Sequence, residues 1–143
     1  MSNKIQFNGS PKPTVGVEVE LFTIDKDHLG LTNGAPKILK HFKENNFFKE
    51  ELLQCIIEIT TDVCNNVDDV YNDLRPKLDE AIEYSNTQNI ELISMPIHPF
   101  SRVSDQSVSN NKRYIDFLER MQWPLRRLLI TGIHVHVGVQ TGE

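Results

Sequence analysis

A single layered domain mixing helix and sheet, α/β or α+β, is the architecture this chain predicts. Two segments, residues 15–22 (VGVEVELF) and 130–139 (ITGIHVHVGV), alternate strictly between apolar and polar side chains, which is the period of a strand. Two longer stretches, residues 66–89 and 110–129, repeat apolar side chains at spacings of three and four, which is the period of a helix. No internal repeat or low-complexity linker divides the 143 residues, and 38% apolar with 24% charged residues is ordinary for a domain with one buried core.

Taken in order, a Pro-bearing tail over residues 1–13 leads into the first strand, which runs to about Ile24. The Asp, Asn, Gly and Pro of IDKDHLGLTNGAP then read as a turn region. A helix is expected over residues 35–46, where Ile38, Leu39 and Phe42 share one face and the TNG stretch offers caps. Residues 51–61 (ELLQCIIEITT) are β-branched and read as a second strand, with a helical turn allowed before it. In that strand Cys55, Ile57 and Ile59 have one parity and Gln54, Glu58 and Thr60 the other, which Ile56 interrupts.

The firmest helix spans residues 66–89. Val67, Val70, Tyr71, Leu74, Leu78, Ala81 and Ile82 line one stripe, while Asp68 and Asp69 suit the positive helix start. Pro76 inside it predicts a kink or a shifted boundary. Residues 90–97 (IELISMPI) form a third strand, a loop follows through HPFSRVSDQSVSN, and a last helix over residues 110–129, broken near Pro124, delivers the chain into the histidine strand. The order is β-α-β-α-β-α-β. The last strand has no element after it to cover its open edge, so the chain is expected to be the N-terminal portion of a larger domain or to pair with a second chain.

Composition excludes some functions. A formal charge of −5 without a basic run gives no footprint for nucleic acid. No apolar stretch approaches the roughly 20 residues of a membrane span, and the polar start has no signal-peptide core, so a cytoplasmic protein is expected. Cys55 and Cys64 are too far apart for a redox or zinc motif and are read as reduced, Cys55 in the core and Cys64 in a loop.

The chemistry concentrates on the polar parity of the strands. Glu18 and Glu20 share one face with Gly16 beside them, and His134 and His136 share one face of the last strand. Glu58 lies in an otherwise apolar strand, where an unpaired buried carboxylate is costly. Each has a plain alternative: solvated edge carboxylates for Glu18 and Glu20, a salt-bridge partner for Glu58, exposed polar positions for the histidines. Their coincidence in one small domain points instead to a divalent metal site of up to five ligands. A carboxylate-led set favours Mg²⁺ or Mn²⁺ over zinc and suits nucleotide phosphates. With no GxxxxGK[ST] or GxGxxG loop, phosphates would be held by metals and cations, the candidates being Arg113, Arg126 and Arg127, of which the last two read more readily as an exposed helix face. His98, before Pro99 and Phe100, reads as a turn cap more readily than as a pocket residue.

Together, GVEVE at residues 16–20, the QCIIEITT segment with Glu58, HPF at residues 98–100, Arg113-Tyr114 and GIHVHVGV resemble the glutamate-cysteine ligase superfamily, in its bacterial carboxylate-amine ligase branch. The resemblance covers residues 14–143 as the N-terminal portion of a ligase catalytic domain. Val19 stands where many members carry a further Glu, and Ile97 replaces a small polar residue. The resemblance implies a mainly antiparallel, funnel-shaped sheet with helices packed outside, of the glutamine synthetase catalytic type and here incomplete. It also implies Mg²⁺ ions clamping ATP as co-substrate. By motif match Glu18, Glu20, Glu58 and His136 are implied as metal ligands, His134 and His136 as nucleotide-binding residues, and Glu58 and Arg113 as catalytic. The implied reaction joins a carboxylate such as glutamate to an amine such as cysteine through an acyl phosphate. A zinc-dependent hydrolase and a non-catalytic nucleotide- or metal-binding fragment are the competing readings, and a homo-oligomer through the open sheet edge is a further expectation.

Overall fold

The structure is a computed structural model and describes residues 7–121 and 128–142. Its centre is one long strand, β1 (Thr14–Asp25), which is hydrogen-bonded along both edges. One edge takes β3 (Ile56–Thr60) against Glu18 through Phe22, and β3 in turn carries the short β2 (Phe48–Glu50). The other edge is shared, with β5 (Ile133–Gly138) along Thr14 to Val19 and β4 (Ile90–Ile93) along Phe22 to Asp25. Every pairing is antiparallel. The fold is therefore α+β, a mainly antiparallel five-stranded sheet with helices α1 (Ala35–His41), α2 (Val67–Thr87) and α3 (Lys112–Met121). No described helix is long and apolar enough to cross a membrane.

The two parities of β1 meet different surroundings. Val19 and Leu21, with Ile57 and Ile59 of β3, are covered by Ala35, Ile38 and Phe42 of the α1 region and Ala81 of α2, forming the main core. The opposite parity begins polar at Glu18 and Glu20 and turns apolar at Phe22 and Ile24. These pack with Leu53, Cys55, Ile56 and Leu129 in a second core. Ile56, which breaks the alternation of its strand, is thereby explained: the far end of this sheet is buried on both faces, and a residue there is apolar at either parity.

Several boundaries are shorter than periodicity predicts. The first helix stops at His41 rather than near residue 46, because Asn45 Oδ1 accepts the Phe47 N–H at 2.9 Å and turns the chain. Its start is packed so closely that a Cβ on Gly34 would lie 2.9 Å from Ile90 Cδ1. The second strand narrows to β3, and β2 lies before residues 51–61, where the sequence predicts that strand. The third ends at Ile93, and Met95 and Pro96 offer their carbonyls to Thr131 instead. α2 starts at an Asn66 cap whose Oδ1 accepts the Asp69 N–H at 2.8 Å, and it continues through Pro76 to Thr87. Pro76 is exposed, so water can reach the carbonyl its missing N–H leaves free. The third helix ends at Met121 among the described residues. Pro124, Arg126 and Arg127 lie outside them.

Cys55 and Cys64 are both buried free thiols. Burial pushes the Cys55 thiol up to about 11. Cys64 is not a loose loop residue, since its backbone bridges to Val15 in both directions and extends the sheet past β3.

Candidate functional site

β1 sets the geometry of the site. Its register places Glu20 directly opposite Glu58 on β3, Glu18 opposite His134 on β5, and Gly16 opposite His136. Directly opposed residues put their side chains on the same face of a sheet. All five candidate side chains on β1, β3 and β5 therefore emerge from one surface, away from the helix-covered core.

They divide into two adjoining groups. In the first, carboxylate oxygens of Glu20, Glu51 and Glu58 all lie within 4.8 Å of one another. Glu58 is the most buried of these, and Lys49, its register partner on β2, holds Glu58 Oε1 through Nζ at 3.1 Å. Glu20 Oε2 also accepts the Gly132 N–H at 2.9 Å. Burial pushes the Glu51 carboxyl above its ordinary range, the Leu52 N–H pulls the other way, and the charges of Glu58 and Glu20 add to the rise.

Sequence reasoning missed Glu51. It precedes β3 and belongs to no alternating segment, and its placement comes from residues far along the chain. Ser109 Oγ donates to the Glu51 carbonyl, the Ser109 N–H to Leu52 O, and the Tyr114 hydroxyl to Glu50 O. That clasp turns Glu51 toward Glu20 and Glu58. The one signal in the sequence was its acidic character within the same segment as Glu58.

The second group centres on Glu18 Oε2, which lies 3.1 Å from His136 Nε2 and 3.4 Å from His134 Nδ1. The His136 hydrogen bond holds the Glu18 carboxyl below the usual range against the opposing effect of burial. His134 links the groups, its Nδ1 lying 3.9 Å from Glu20 Oε1.

Above the first group opens a cleft of about 1140 Å³. Glu18, Glu20, Glu51, Glu58, Lys49 and His134 line its sheet side, and Arg113, Tyr114 and Phe117 of α3 face them. Arg113 thus reaches the same cleft as the carboxylates. The Tyr114 hydroxyl is pushed up to about 12 by burial and by the nearby Glu51 charge. His136, at the far end of β5, does not line this cleft. His98 is a turn residue: its Nδ1 accepts the Ser101 N–H, so Nε2 carries the proton donated to Leu29 O at 3.1 Å.

The arrangement fits a hard divalent cation. Mg²⁺ and Mn²⁺ prefer carboxylate oxygens, and Glu20, Glu51 and Glu58 each bring one within 4.8 Å of the others. Without a countercharge three carboxylates this close repel, and Lys49 offsets only part of it. Zinc fits less well, because among the described residues no histidine joins a group of three ligand atoms this close.

The family model for glutamate-cysteine ligase family 2 (GCS2) matches residues 14–143. Curated proteins provisionally named glutamate-cysteine ligase 2 are similar over almost the whole chain. The one from Mycobacterium ulcerans is 36% identical over 99% of this chain, and that from Mycobacterium tuberculosis is 36% identical over 98%. A protein provisionally named glutamate-cysteine ligase 2-1, from a Mycobacterium species, is 35% identical over 99%. The chain spans only 36%, 37% and 38% of the length of these three relatives. With the antiparallel sheet, its acidic face and a family match over nearly every residue, the chain belongs to glutamate-cysteine ligase family 2.

Proposed function

We propose that this chain supplies the metal- and nucleotide-binding part of an ATP-dependent carboxylate-amine ligase acting on glutamate or a related carboxylate and an amine such as cysteine. The observation that carries the reading is the convergence of Glu20, Glu51 and Glu58 within 4.8 Å on the sheet of a family-matched chain. Glu20, Glu51 and Glu58 would hold one Mg²⁺ or Mn²⁺, and Glu18 with His136 would offer ligands for a neighbouring ion. Bound there, the metal supplies charge neutralisation for phosphate oxygens and an in-line alignment. Arg113, across the cleft, would bind the transferring phosphate or the substrate carboxylate, and His134 would orient the nucleotide. A substrate carboxylate oxygen attacks the γ-phosphorus as ADP leaves; the amine nitrogen then attacks the acyl carbon, phosphate leaves, and the nitrogen gives up a proton. Cytoplasmic ATP and Mg²⁺ suit this chemistry, and the open edge of β5 suits assembly with a second copy.

The test is Mn²⁺ binding followed by electron paramagnetic resonance, paired with ADP release from Mg²⁺-ATP in a chain of the relatives' full length. Glu58→Gln should weaken Mn²⁺ at least tenfold, a loss of about 1.4 kcal/mol, and abolish turnover with little change in Tm. Wild-type turnover in that variant, or amide hydrolysis that needs Zn²⁺ and no nucleotide, overturns the proposal.

A further inference from the structure

Among the described residues Lys49 is the cation that touches the acidic group, and nothing in the ligase reading above uses it. It stands on β2, one strand beyond Glu58, with its side chain half-exposed while that of Glu58 is 10% exposed. Its ammonium reaches inward to Glu58 Oε1 at 3.1 Å, and its charge is also felt at Glu18. The same residue lines the cleft that Arg113 faces. A carboxylate this buried beside two others needs a positive partner, and a long flexible ammonium stem from an edge strand can supply one and later withdraw.

A divalent ion among Glu20, Glu51 and Glu58 changes that balance. It takes over most of the countercharge and so weakens the hold of Glu58 on an ammonium a few ångströms away. An ammonium held less tightly on a half-exposed stem is free to turn into the cleft, where a metal-bound polyphosphate would present oxygens. Resting on the metal and nucleotide reading above, we infer that Lys49 is an exchangeable cation, neutralising Glu58 while the metal is absent and moving to nucleotide phosphate once the metal is bound.

The experiment measures two affinities in the 143-residue chain, for Mn²⁺ alone and for ATP at saturating Mn²⁺. Lys49→Met should bind Mn²⁺ about tenfold tighter and ATP about tenfold weaker, opposite shifts that a merely structural lysine would not produce. Lys49→Arg, which keeps the charge, should recover most of the ATP affinity. The Tm gained on adding Mn²⁺ should also be larger in Lys49→Met than in wild type, because its metal-free cluster has lost its countercharge. Equal affinities in Lys49→Met and wild type, or both weakened together, overturn the exchange. A wild-type chain that binds no Mn²⁺ overturns the metal reading itself, and this inference with it.

Discussion

Strands β3 and β5 flank β1 and each carry site residues, yet every residue of β3 is buried while five of six in β5 are exposed. Ile57 and Ile59 are fully enclosed beneath α1 and α2, whereas Ile133, Val135 and Val137, on the same side of the sheet, are 61%, 62% and 65% exposed. Alternation therefore tells which side chains share a face and nothing about whether that face is covered. Covering depends on what the rest of the polypeptide lays over it. The difference matters for chemistry as well, since Glu58 sits in a buried strand and His136 in an open one.

The comparison can be broken by substitution. Ile57→Ala should have the largest effect, a loss of about 2–5 kcal/mol in chemical denaturation, because the cavity it leaves lies between strand and helices. A loss under about 1 kcal/mol would mean that the helix-covered face is looser than the structure shows.

A second experiment sharpens the comparison where the strands meet at Glu18. In metal-free protein, His136→Ala should raise the Glu18 pKa toward its ordinary 4.5, followed by carboxyl NMR titration. A lowered folded pKa stabilises the native state above the unfolded value and ceases to do so as pH falls through the folded one. The stability difference between wild type and His136→Ala should accordingly be present above 4.5 and fade on acidification. An unchanged Glu18 titration would show that β5 does not govern that carboxyl.

The smallest effect is expected from Val135→Ala, within about 0.5 kcal/mol for a side chain so exposed. A cost comparable with that of Ile57→Ala would mean that β5 is covered in solution, and concentration-dependent sedimentation would then identify a second copy as the cover.

Much of the site was legible before any fold was known. The parities of Glu18 with Glu20 and of His134 with His136 follow from a period of two, and the structure puts them on one surface with Glu58. Less of the boundary detail could be read. β2 is three residues long, below what any periodicity resolves, and α1 ends on an Asn side-chain turn that its apolar spacing does not register. The exposed face of α2 carries Pro76 without ending the helix.

By itself the sequence determined the sidedness of each strand, since successive side chains must point to opposite faces of an extended backbone. It also determined the family, through short motifs kept in order. Which carboxylates meet was decided only by tertiary structure. Glu20 and Glu58 are 38 positions apart and become neighbours through strand register; Glu51 joins them because residues 109–114 hold its backbone in place. Distances between oxygens depend on hydrogen bonds made far along the chain, and no local pattern encodes those.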